Sequence, residues 1–228
     1  MPQTLSNITY DTTAAIGNLL TEDDEPLDNL FSEKQQRLLV ESLYSSWKPI
    51  DAENESNRAF FAAANVGLYF SVNQPPLVPD MFISLDVEMP TDLDLNAHRS
   101  YFVWEFGKVP DVAVEIVSNR KGNELTRKLQ DYARIGVTYY VVLDPFGNLS
   151  ENVLQVYELG FGKRLRLKSD AMLTETGLEA RLWQGDFEGL TGEWLRWYDV
   201  ETGNLILTGK ETAEKMAQKL RDLGVAID

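Results

Sequence analysis

A strand–helix–strand unit in the centre of the chain constrains the fold more than any other feature. The sequence indicates an apolar strand in VPDVAVEIVS, a helix with one apolar stripe in GNELTRKLQDYARIG, and a nearly all-apolar strand in TYYVVLDP. A connection of this length predicts two parallel neighbouring strands joined by a right-handed crossover. The second strand lacks polar alternation, which is typical of a sheet covered on both faces.

Shorter elements extend this unit on both sides. We predict a helix that begins at Ser32, which has capping-box spacing to Gln35, and ends before Pro49. Strands are indicated in MFISLDV and SYFVWEF, a hairpin in VLQVYELGFGKRLRLK, and further short strands with turns at Gly177, Gly185 and Gly203. The predicted fold class is therefore α/β with antiparallel additions (α+β), a mixed sheet with helices on its faces.

The 228 residues divide into three predicted parts. Residues 1–30 are polar and acidic and are predicted to form an irregular N-terminal arm, whereas residues 31–207 form the main domain. Residues 208–228 are predicted to be a C-terminal amphipathic helix, because Thr208 and Glu211 have capping-box spacing. The apolar stripe of this helix packs on the domain or on a partner, and it contains Ala213, Met216, Leu220 and Leu223.

The residue composition excludes several kinds of active site. The chain has no cysteine, which excludes disulfides, cysteine-ligated zinc and thiol nucleophiles. Its single histidine, His98, lies in the acidic stretch DVEMPTDLDLNAHRS, where a solvated loop residue is expected. A hydrolase built from this chain must rely on carboxylates, lysines and a hard cation such as Mg²⁺. No membrane-spanning run and no signal-peptide pattern is found, so we expect a cytoplasmic protein.

The charge distribution argues against a generic nucleic-acid-binding surface. The formal net charge is −15, whereas phosphate contacts need Lys and Arg. Two segments are nevertheless basic: one contains Arg120, Lys121, Arg127, Lys128 and Arg134, and the other contains Lys163, Arg164, Arg166 and Lys168. Each is either a solvated face or a local positive surface on an acidic protein.

Glu115 interrupts the apolar run of VPDVAVEIVS. A carboxylate in a buried strand is costly unless another group pairs with it. Asp111 lies on the same face of the strand, but four residues at roughly 3.3 Å each separate the two residues by about 13 Å. One cation cannot be held by both side chains at that distance. The better partner is an acid on a neighbouring strand, and Asp80, at the start of MFISL, is the natural candidate.

Lys128 is the candidate cationic group for this site. On a helical wheel it lies about 60° from Leu125, on the margin of the buried stripe. From that margin its ammonium can turn toward the end of the strand that carries Glu115. The alternative is an exposed pair between Glu124 and Lys128, which would contribute only about 0.2–0.5 kcal/mol.

The central stretch resembles a known bacterial family. The match is carried by VPDMFISL and by VPDVAVEIVSNRKGNELTRKLQDYARIGVTYYVVLDP, with Pro110-Asp111, Glu115, Ser118, Lys128, Tyr132, Gly136-Val137 and Asp144-Pro145. These residues resemble the bacterial restriction-endonuclease family also labelled domain of unknown function eight-twenty, within the PD-(D/E)xK nuclease superfamily. The resemblance covers roughly residues 30–200 and implies a restriction-endonuclease-like sheet flanked by helices.

The resemblance also implies a metal-dependent site. Asp80 and Glu115 would bind Mg²⁺ or Mn²⁺, with the Ile116 carbonyl as a further ligand. The simple motif has its lysine two residues after the second acid, where this chain has Val117, so Lys128 would be a displaced motif lysine. Accessory candidates are Gln36, with Glu41 behind it, and Asp111 and Glu105, for each of which a purely structural role is the alternative.

Three hypotheses follow from these observations. The first is a Mg²⁺-dependent endonuclease that hydrolyses DNA phosphodiester bonds. The second is a catalytically inactive nuclease-fold module that binds nucleic acid or a protein partner, which the acidic charge and Val117 favour. The third is an assembly protein that uses its C-terminal stripe. A homodimer is expected by analogy with other nuclease folds, and no membrane partner is expected.

Overall fold

The computed structural model describes residues 29–51, 56–92, 98–119 and 123–225. The predicted N-terminal arm therefore lies outside the described residues except for its last two positions. Arg120 and Lys121 of the first basic segment also lie outside them. Among the described residues, no helix has the length and apolar character needed to cross a bilayer.

Four α-helices and eleven strands form within these ranges. The helices are α1 (Leu30–Ser46), α2 (Val103–Phe106), α3 (Leu129–Ile135), which continues a π-helical turn (Glu124–Lys128), and α4 (Gly209–Asp222). The strands of the first half are β1 (Phe60–Ala64), β2 (Leu68–Tyr69), β3 (Met81–Leu85), β4 (Tyr101–Phe102) and β5 (Val112–Ile116). Those of the second half are β6 (Tyr139–Leu143), β7 (Leu154–Gly160), β8 (Arg164–Leu167), β9 (Met172–Leu173), β10 (Leu178–Phe187) and β11 (Leu190–Asp199).

A six-stranded mixed sheet forms the centre of the molecule. Its strand order is β1-β3-β5-β6-β7-β8, and only β5 and β6 are parallel. The predicted strand–helix–strand unit is thus confirmed as β5, α3 and β6, and so are the antiparallel additions. A second sheet has the order β11-β10-β9, and β2 pairs with β4 separately. The mixed α+β fold class is as predicted.

Each face of the central sheet has its own apolar core. Helix α1 and the β10–β11 hairpin cover one face, where Leu39, Leu43 and Trp197 are buried against alternate residues of β5 and β6. Helix α3 covers the other face with Tyr132 and Ala133. Full burial of one such apolar side chain contributes roughly 1.5–3 kcal/mol, so the two cores fix which residues of β5 point toward α3.

Gln35 joins α1 to the second sheet. Its side chain is fully buried; the amide nitrogen donates to the Leu195 carbonyl at 2.9 Å, and its oxygen accepts from the Leu195 N–H at 2.9 Å. Leu195 lies in β11, which is an edge strand of its sheet. The Trp197 indole also donates to the Leu39 carbonyl at 3.2 Å. These bonds fix α1 against β11, which matters because α1 contributes a residue to the candidate site.

The beginning of α1 differs from the prediction. Asn29 is the N-cap, and its side-chain oxygen accepts from the N–H of Ser32 at 2.9 Å. Ser32 is therefore a buried residue of the first turn, not the capping residue. Asn and Ser are nearly equal caps, so cap preference alone does not distinguish the two starts. Phe31, in the added first turn, stacks on Trp194 with ring centroids 5.1 Å apart.

Two further elements were predicted wrongly. In SYFVWEF the strand ends at Phe102, and the chain forms the short helix α2, which Gly107 ends with a φ of 78°. Gly185 lies within β10, and the turn of that hairpin is at Glu188 and Gly189, both with positive φ. The turn positions at Gly177 and Gly203 are as predicted, since both have positive φ.

Helix α4 contacts the rest of the protein through its first turn. The predicted capping box between Thr208 and Glu211 is present, and the Gly209 N–H donates to Glu41 at 2.7 Å. Arg196, which is 1% exposed, donates to Glu211 at 2.7 Å. The apolar stripe beyond this turn is exposed, including Met216, Leu220 and Leu223. Of the two predicted alternatives, packing of the stripe on the domain is therefore not observed. Packing of the stripe on a partner stays a prediction.

Candidate active site

Asp80 and Glu115 lie next to each other across β3 and β5. Met81 and Val114 are the last pair of the β3–β5 ladder, so Asp80, the residue before β3, lies beside Glu115 at the end of this ladder. The charge of Asp80 also acts on the Glu115 carboxyl. The N–H of Ile116 also donates to Asp80 Oδ2 at 2.6 Å. The structure therefore brings together the two acids that the sequence analysis selected, and we call them the carboxylate pair.

Glu115 is buried and accepts two hydrogen bonds from the helix that follows its strand. Its side chain is 1% exposed. Lys128 Nζ donates to Oε2 at 2.8 Å, and the Tyr132 hydroxyl donates to Oε1 at 2.7 Å. Residues four apart lie on the same face of a helix, so one face presents both donors to the carboxylate. These two bonds provide the pairing that a carboxylate in an apolar strand requires.

The electrostatics of Glu115 are dominated by its burial. Burial and the nearby Asp80 raise the pKa of the Glu115 carboxyl above its usual value, although the Lys128 ammonium and the Tyr132 hydroxyl offset part of this increase. The carboxylate is thus held in a site that favours a compensating positive charge. A proton, an ammonium group or a divalent cation can each supply that charge.

Lys128 and Tyr132 respond in a complementary way. Burial by itself lowers the pKa of Lys128, but the Glu115 carboxylate outweighs this effect and raises the pKa above its usual value. Burial and Glu115 together raise the pKa of Tyr132 well above its usual value. At neutral pH the lysine therefore stays charged and the tyrosine keeps its proton. About a third of the Lys128 side chain is exposed, so the ammonium remains accessible.

Gln36 orients Asp80 from helix α1. Gln36 is buried, and its amide nitrogen donates to Asp80 Oδ1 at 3.0 Å. Asn65, just after β1, donates its side-chain N–H to Gln36 Oε1 at 3.0 Å and its backbone N–H to the Asp80 carbonyl at 3.3 Å. Asn65 has a φ of 53°, a left-handed conformation that asparagine tolerates. The structure therefore brings the predicted accessory residue Gln36 to the carboxylate pair, whereas Asn65 was not predicted.

Asp111 and Glu105 do not belong to this cluster. Asp111 is at the opposite end of β5, where it accepts from Lys108 Nζ and from the Leu85 N–H, both at 2.7 Å. Glu105 is exposed on α2 and not on a strand. Neither residue contacts the carboxylate pair in the part of the chain that the structure describes. The contacts of Asp111 agree with the structural alternative for that residue.

Glu124 joins the cluster although it was not predicted to do so. It is 8% exposed, and its Oε1 lies 3.5 Å from Lys128 Nζ. The Tyr140 hydroxyl donates to its backbone carbonyl at 2.9 Å. The alternative of an exposed Glu124–Lys128 pair is therefore wrong, because Glu124 is buried and the ammonium is shared with Glu115. In the sequence, the spacing of four residues between Glu124 and Lys128 already indicated that the two side chains meet. The π-helical turn that carries them was not predicted.

The donor set of the carboxylate pair fits a hard divalent cation. Among the described residues, no three His, Cys, Asp or Glu side chains converge as a metal-binding group. Mg²⁺ does not need such a group, since it is commonly bound by one or two carboxylates together with waters and substrate phosphates. Each oxygen of the Glu115 carboxylate has two lone pairs and accepts one of the hydrogen bonds described above, which leaves acceptor capacity on this residue.

The second basic segment forms a local positive surface. Lys163, Arg164 and Arg166 are exposed on the β7–β8 hairpin and form no ion pair within the described residues, although Arg166 lies opposite Glu158 in the strand register. Phe161, at the tip of this hairpin, is 97% exposed. Lys168 differs, because it pairs with Glu158 at 3.1 Å. We call Phe161, Lys163, Arg164 and Arg166 the basic hairpin.

The basic hairpin is distant from the carboxylate pair. Strand β7 begins beside Leu143, at the end of the sheet where Glu115 lies, and runs toward the other end. About six residues at 3.3 Å each place the hairpin tip roughly 20 Å along the sheet from Glu115. In the first basic segment, Arg127 and Arg134 both pair with Asp131, so they form no comparable surface.

The chain matches a known family model. The family model Uma2, described as "Putative restriction endonuclease", matches residues 25–182. The matched range contains the carboxylate pair, Lys128, Glu124 and the basic hairpin, and it ends within β10. No match was found among curated proteins. The family match covers more than half of the chain.

Proposed function

The chain belongs to the Uma2 family, and from this premise we propose that the protein is a metal-dependent endonuclease that hydrolyses DNA phosphodiester bonds. The observation that carries the proposal is the carboxylate pair with Lys128 Nζ 2.8 Å from Glu115. Phosphodiester hydrolysis needs oxygen ligands for a hard cation and a positive group that can stabilise charge on the phosphate. The cluster offers both in one place.

The residues that would hold Mg²⁺ or Mn²⁺ are Asp80, Glu115 and, through its carbonyl, Ile116. When bound, such a cation polarises a phosphoryl oxygen and lowers the pKa of a coordinated water. Gln36 and the Ile116 N–H fix the orientation of Asp80, and Tyr132 fixes that of Glu115. This preorganisation reduces the rearrangement that binding would require.

Lys128 has a separate part in the proposal. Its ammonium stays charged at neutral pH and is accessible from solvent. It can donate hydrogen bonds to a phosphate oxygen and orient an attacking water. In the simple motif the lysine would lie two residues after Glu115. This chain has Val117 there, fully buried in the core, and the lysine instead reaches the site from the following helix.

Asp80→Asn is expected to lower Mn²⁺-dependent cleavage of supercoiled plasmid by at least about 100-fold, because an amide replaces a charged ligand. Conversion of plasmid to nicked and linear forms, measured with Mg²⁺, Mn²⁺ or EDTA, checks this. Glu105→Gln is the matched control, since it removes an exposed carboxylate outside the cluster and should leave the rate unchanged. Equal cleavage by Asp80→Asn and the unaltered protein, or cleavage in EDTA, would contradict the proposal.

The second candidate function is binding of nucleic acid without cleavage, and the basic hairpin favours it. Three exposed cations that form no ion pair among the described residues, in one hairpin with an exposed aromatic ring, are suited to phosphates and to a base. The double variant Arg164→Ala/Arg166→Ala should weaken oligonucleotide binding in EDTA by about tenfold or more and flatten its salt dependence. Fluorescence anisotropy over a range of salt concentrations measures both.

Arg127→Ala is the control for this experiment, because Arg127 is exposed but pairs with Asp131. It should bind the oligonucleotide like the unaltered protein. If the hairpin variant binds equally well, the hairpin is not the contact. Binding that persists in the absence of any cation-dependent cleavage would favour this second function over the first.

A homodimer and a cytoplasmic location also belong to the proposal. The dimer is supported by analogy with other nuclease folds, in which two sites act on two strands. The exposed stripe of α4 offers an apolar surface for such a contact. Sedimentation of the full chain measures the oligomeric state directly.

A further inference from the structure

Glu124 has a buried carboxylate oxygen without a partner. Within the described residues, its Oε2 is buried and makes no hydrogen bond. An unsatisfied buried acceptor costs free energy, so a buried carboxylate oxygen of this kind calls for an explanation. The backbone of Glu124 is meanwhile held by the Tyr140 hydroxyl, which keeps the side chain at the cluster. The residue is thus fixed in place with spare capacity to accept.

Among the described residues, the cation that contacts the Glu124 carboxylate is the ammonium of Lys128. This ammonium could donate a further hydrogen bond to Glu124. That ammonium is shared unequally, at 2.8 Å from Glu115 Oε2 and 3.5 Å from Glu124 Oε1. One cation therefore serves two buried carboxylates. A small movement of the flexible lysine chain would reverse the order of the two distances.

A divalent cation on the carboxylate pair would conflict with the present position of Lys128. The ammonium and the cation would compete for Glu115 and repel each other at close range. We propose that Glu124 is a positioning residue that accepts the Lys128 ammonium when a divalent cation binds Glu115. This inference rests on the proposed function and extends it to a residue that the sequence analysis did not place in the site.

The arrangement would serve the reaction in two ways. It removes the ammonium from the ligand position on Glu115, which favours cation binding. It also keeps the ammonium charged and close to the site, because the Glu124 carboxylate takes the place of the Glu115 carboxylate as its partner. Without Glu124, binding of a cation would deprive Lys128 of both carboxylates that lie within 4 Å of its ammonium.

Calorimetry with Mn²⁺ alone tests this inference without reference to cleavage. The proteins to compare are the unaltered chain, Glu124→Gln, Lys128→Met, and the double variant. We expect Glu124→Gln to weaken Mn²⁺ binding by about tenfold when Lys128 is present, which is within the usual range for coupled sites. In the Lys128→Met background the same change should weaken binding several-fold less, because only the loss of a nearby charge remains.

Glu124→Asp provides the rescue, since it keeps the charge at a shorter reach and should recover part of the affinity. Thermal unfolding establishes that each variant is folded. Equal losses in both backgrounds, or no loss in either, would overturn the inference while Mn²⁺ binding by the unaltered protein still supports the proposed function. No Mn²⁺ binding by the unaltered protein would overturn both.

Discussion

Glu115→Gln is expected to eliminate Mn²⁺ binding and to lower plasmid cleavage by about 1,000-fold, while the protein stays folded. Glutamine keeps the size of the side chain and an oxygen that can accept from the Tyr132 hydroxyl. It removes the charge that a cation needs. The change also removes the cost of burying a charged carboxylate, the effect that raises the pKa of Glu115, and this offsets part of the lost ion pair with Lys128.

Thermal unfolding with and without Mn²⁺ separates function from stability in this variant. For the unaltered protein, Mn²⁺ at 100 times its Kd should stabilise the fold by about 2.7 kcal/mol through mass action. For Glu115→Gln the shift should be absent, while the melting temperature without metal changes little. Glu105→Gln should show the full shift. A Glu115→Gln protein that is still stabilised by Mn²⁺ would show that the cation binds elsewhere.

Glu211→Gln is expected to lower the free energy of unfolding by about 3–5 kcal/mol at pH 7. Arg196 is 1% exposed and donates to both oxygens of Glu211, at 2.7 and 3.0 Å. Without that carboxylate a guanidinium group would stay buried and uncompensated. Glu211 also accepts from the Thr208 N–H in the capping box, so the attachment of α4 would weaken as well.

The same pair makes stability depend on pH in the acid range. Burial alone would raise the pKa of Glu211, but the bonds from Arg196 and Thr208 more than offset it and lower the pKa below its usual value. The contribution of this carboxylate is therefore complete above its unfolded pKa of 4.5 and is lost as the pH falls through the lower folded value. Glu211→Gln should not show that part of the acid dependence.

Chemical denaturation between pH 3 and 7 measures both effects. Glu214→Gln is the matched control on the same helix, since Glu214 is exposed and lies 3.9 Å from Lys210. It should change the free energy of unfolding by no more than about 1 kcal/mol, as exposed pairs do. An equal loss in Glu211→Gln and Glu214→Gln would mean that helix propensity, and not the buried pair, is responsible.

The carboxylate pair could be predicted from the sequence because strand geometry is regular. The rise of roughly 3.3 Å per residue excluded Asp111 as the partner of Glu115, and Asp80 was the natural candidate among acids on a neighbouring strand. The helical wheel likewise placed Lys128 on the margin of the stripe, from which it reaches Glu115. The two strands have the regular geometry that this argument assumed. Lys128 reaches Glu115 although it lies on the π-helical turn, which an ideal wheel describes only approximately.

Glu124 and Asn65 could not be predicted for the opposite reason. Glu124 lies on a π-helical turn, so a wheel of about 100° per residue misplaces it. Asn65 reaches the site through a left-handed backbone and a contact with α1, which is 29 positions away in the chain. Both depend on tertiary contacts that no local pattern encodes. The surroundings of the α4 stripe could not be predicted either, because periodicity predicts an apolar face of a helix but not what covers that face.

The amide of Gln35 gives β11 the bonds that an adjoining strand would give. It satisfies both backbone groups of Leu195, and the Ile206 N–H donates to the carbonyl of Trp197 further along the same edge. Unpaired edges are where another chain can add a strand. The middle of this edge is therefore closed to such addition, and a second molecule has to meet this part of the protein through side chains.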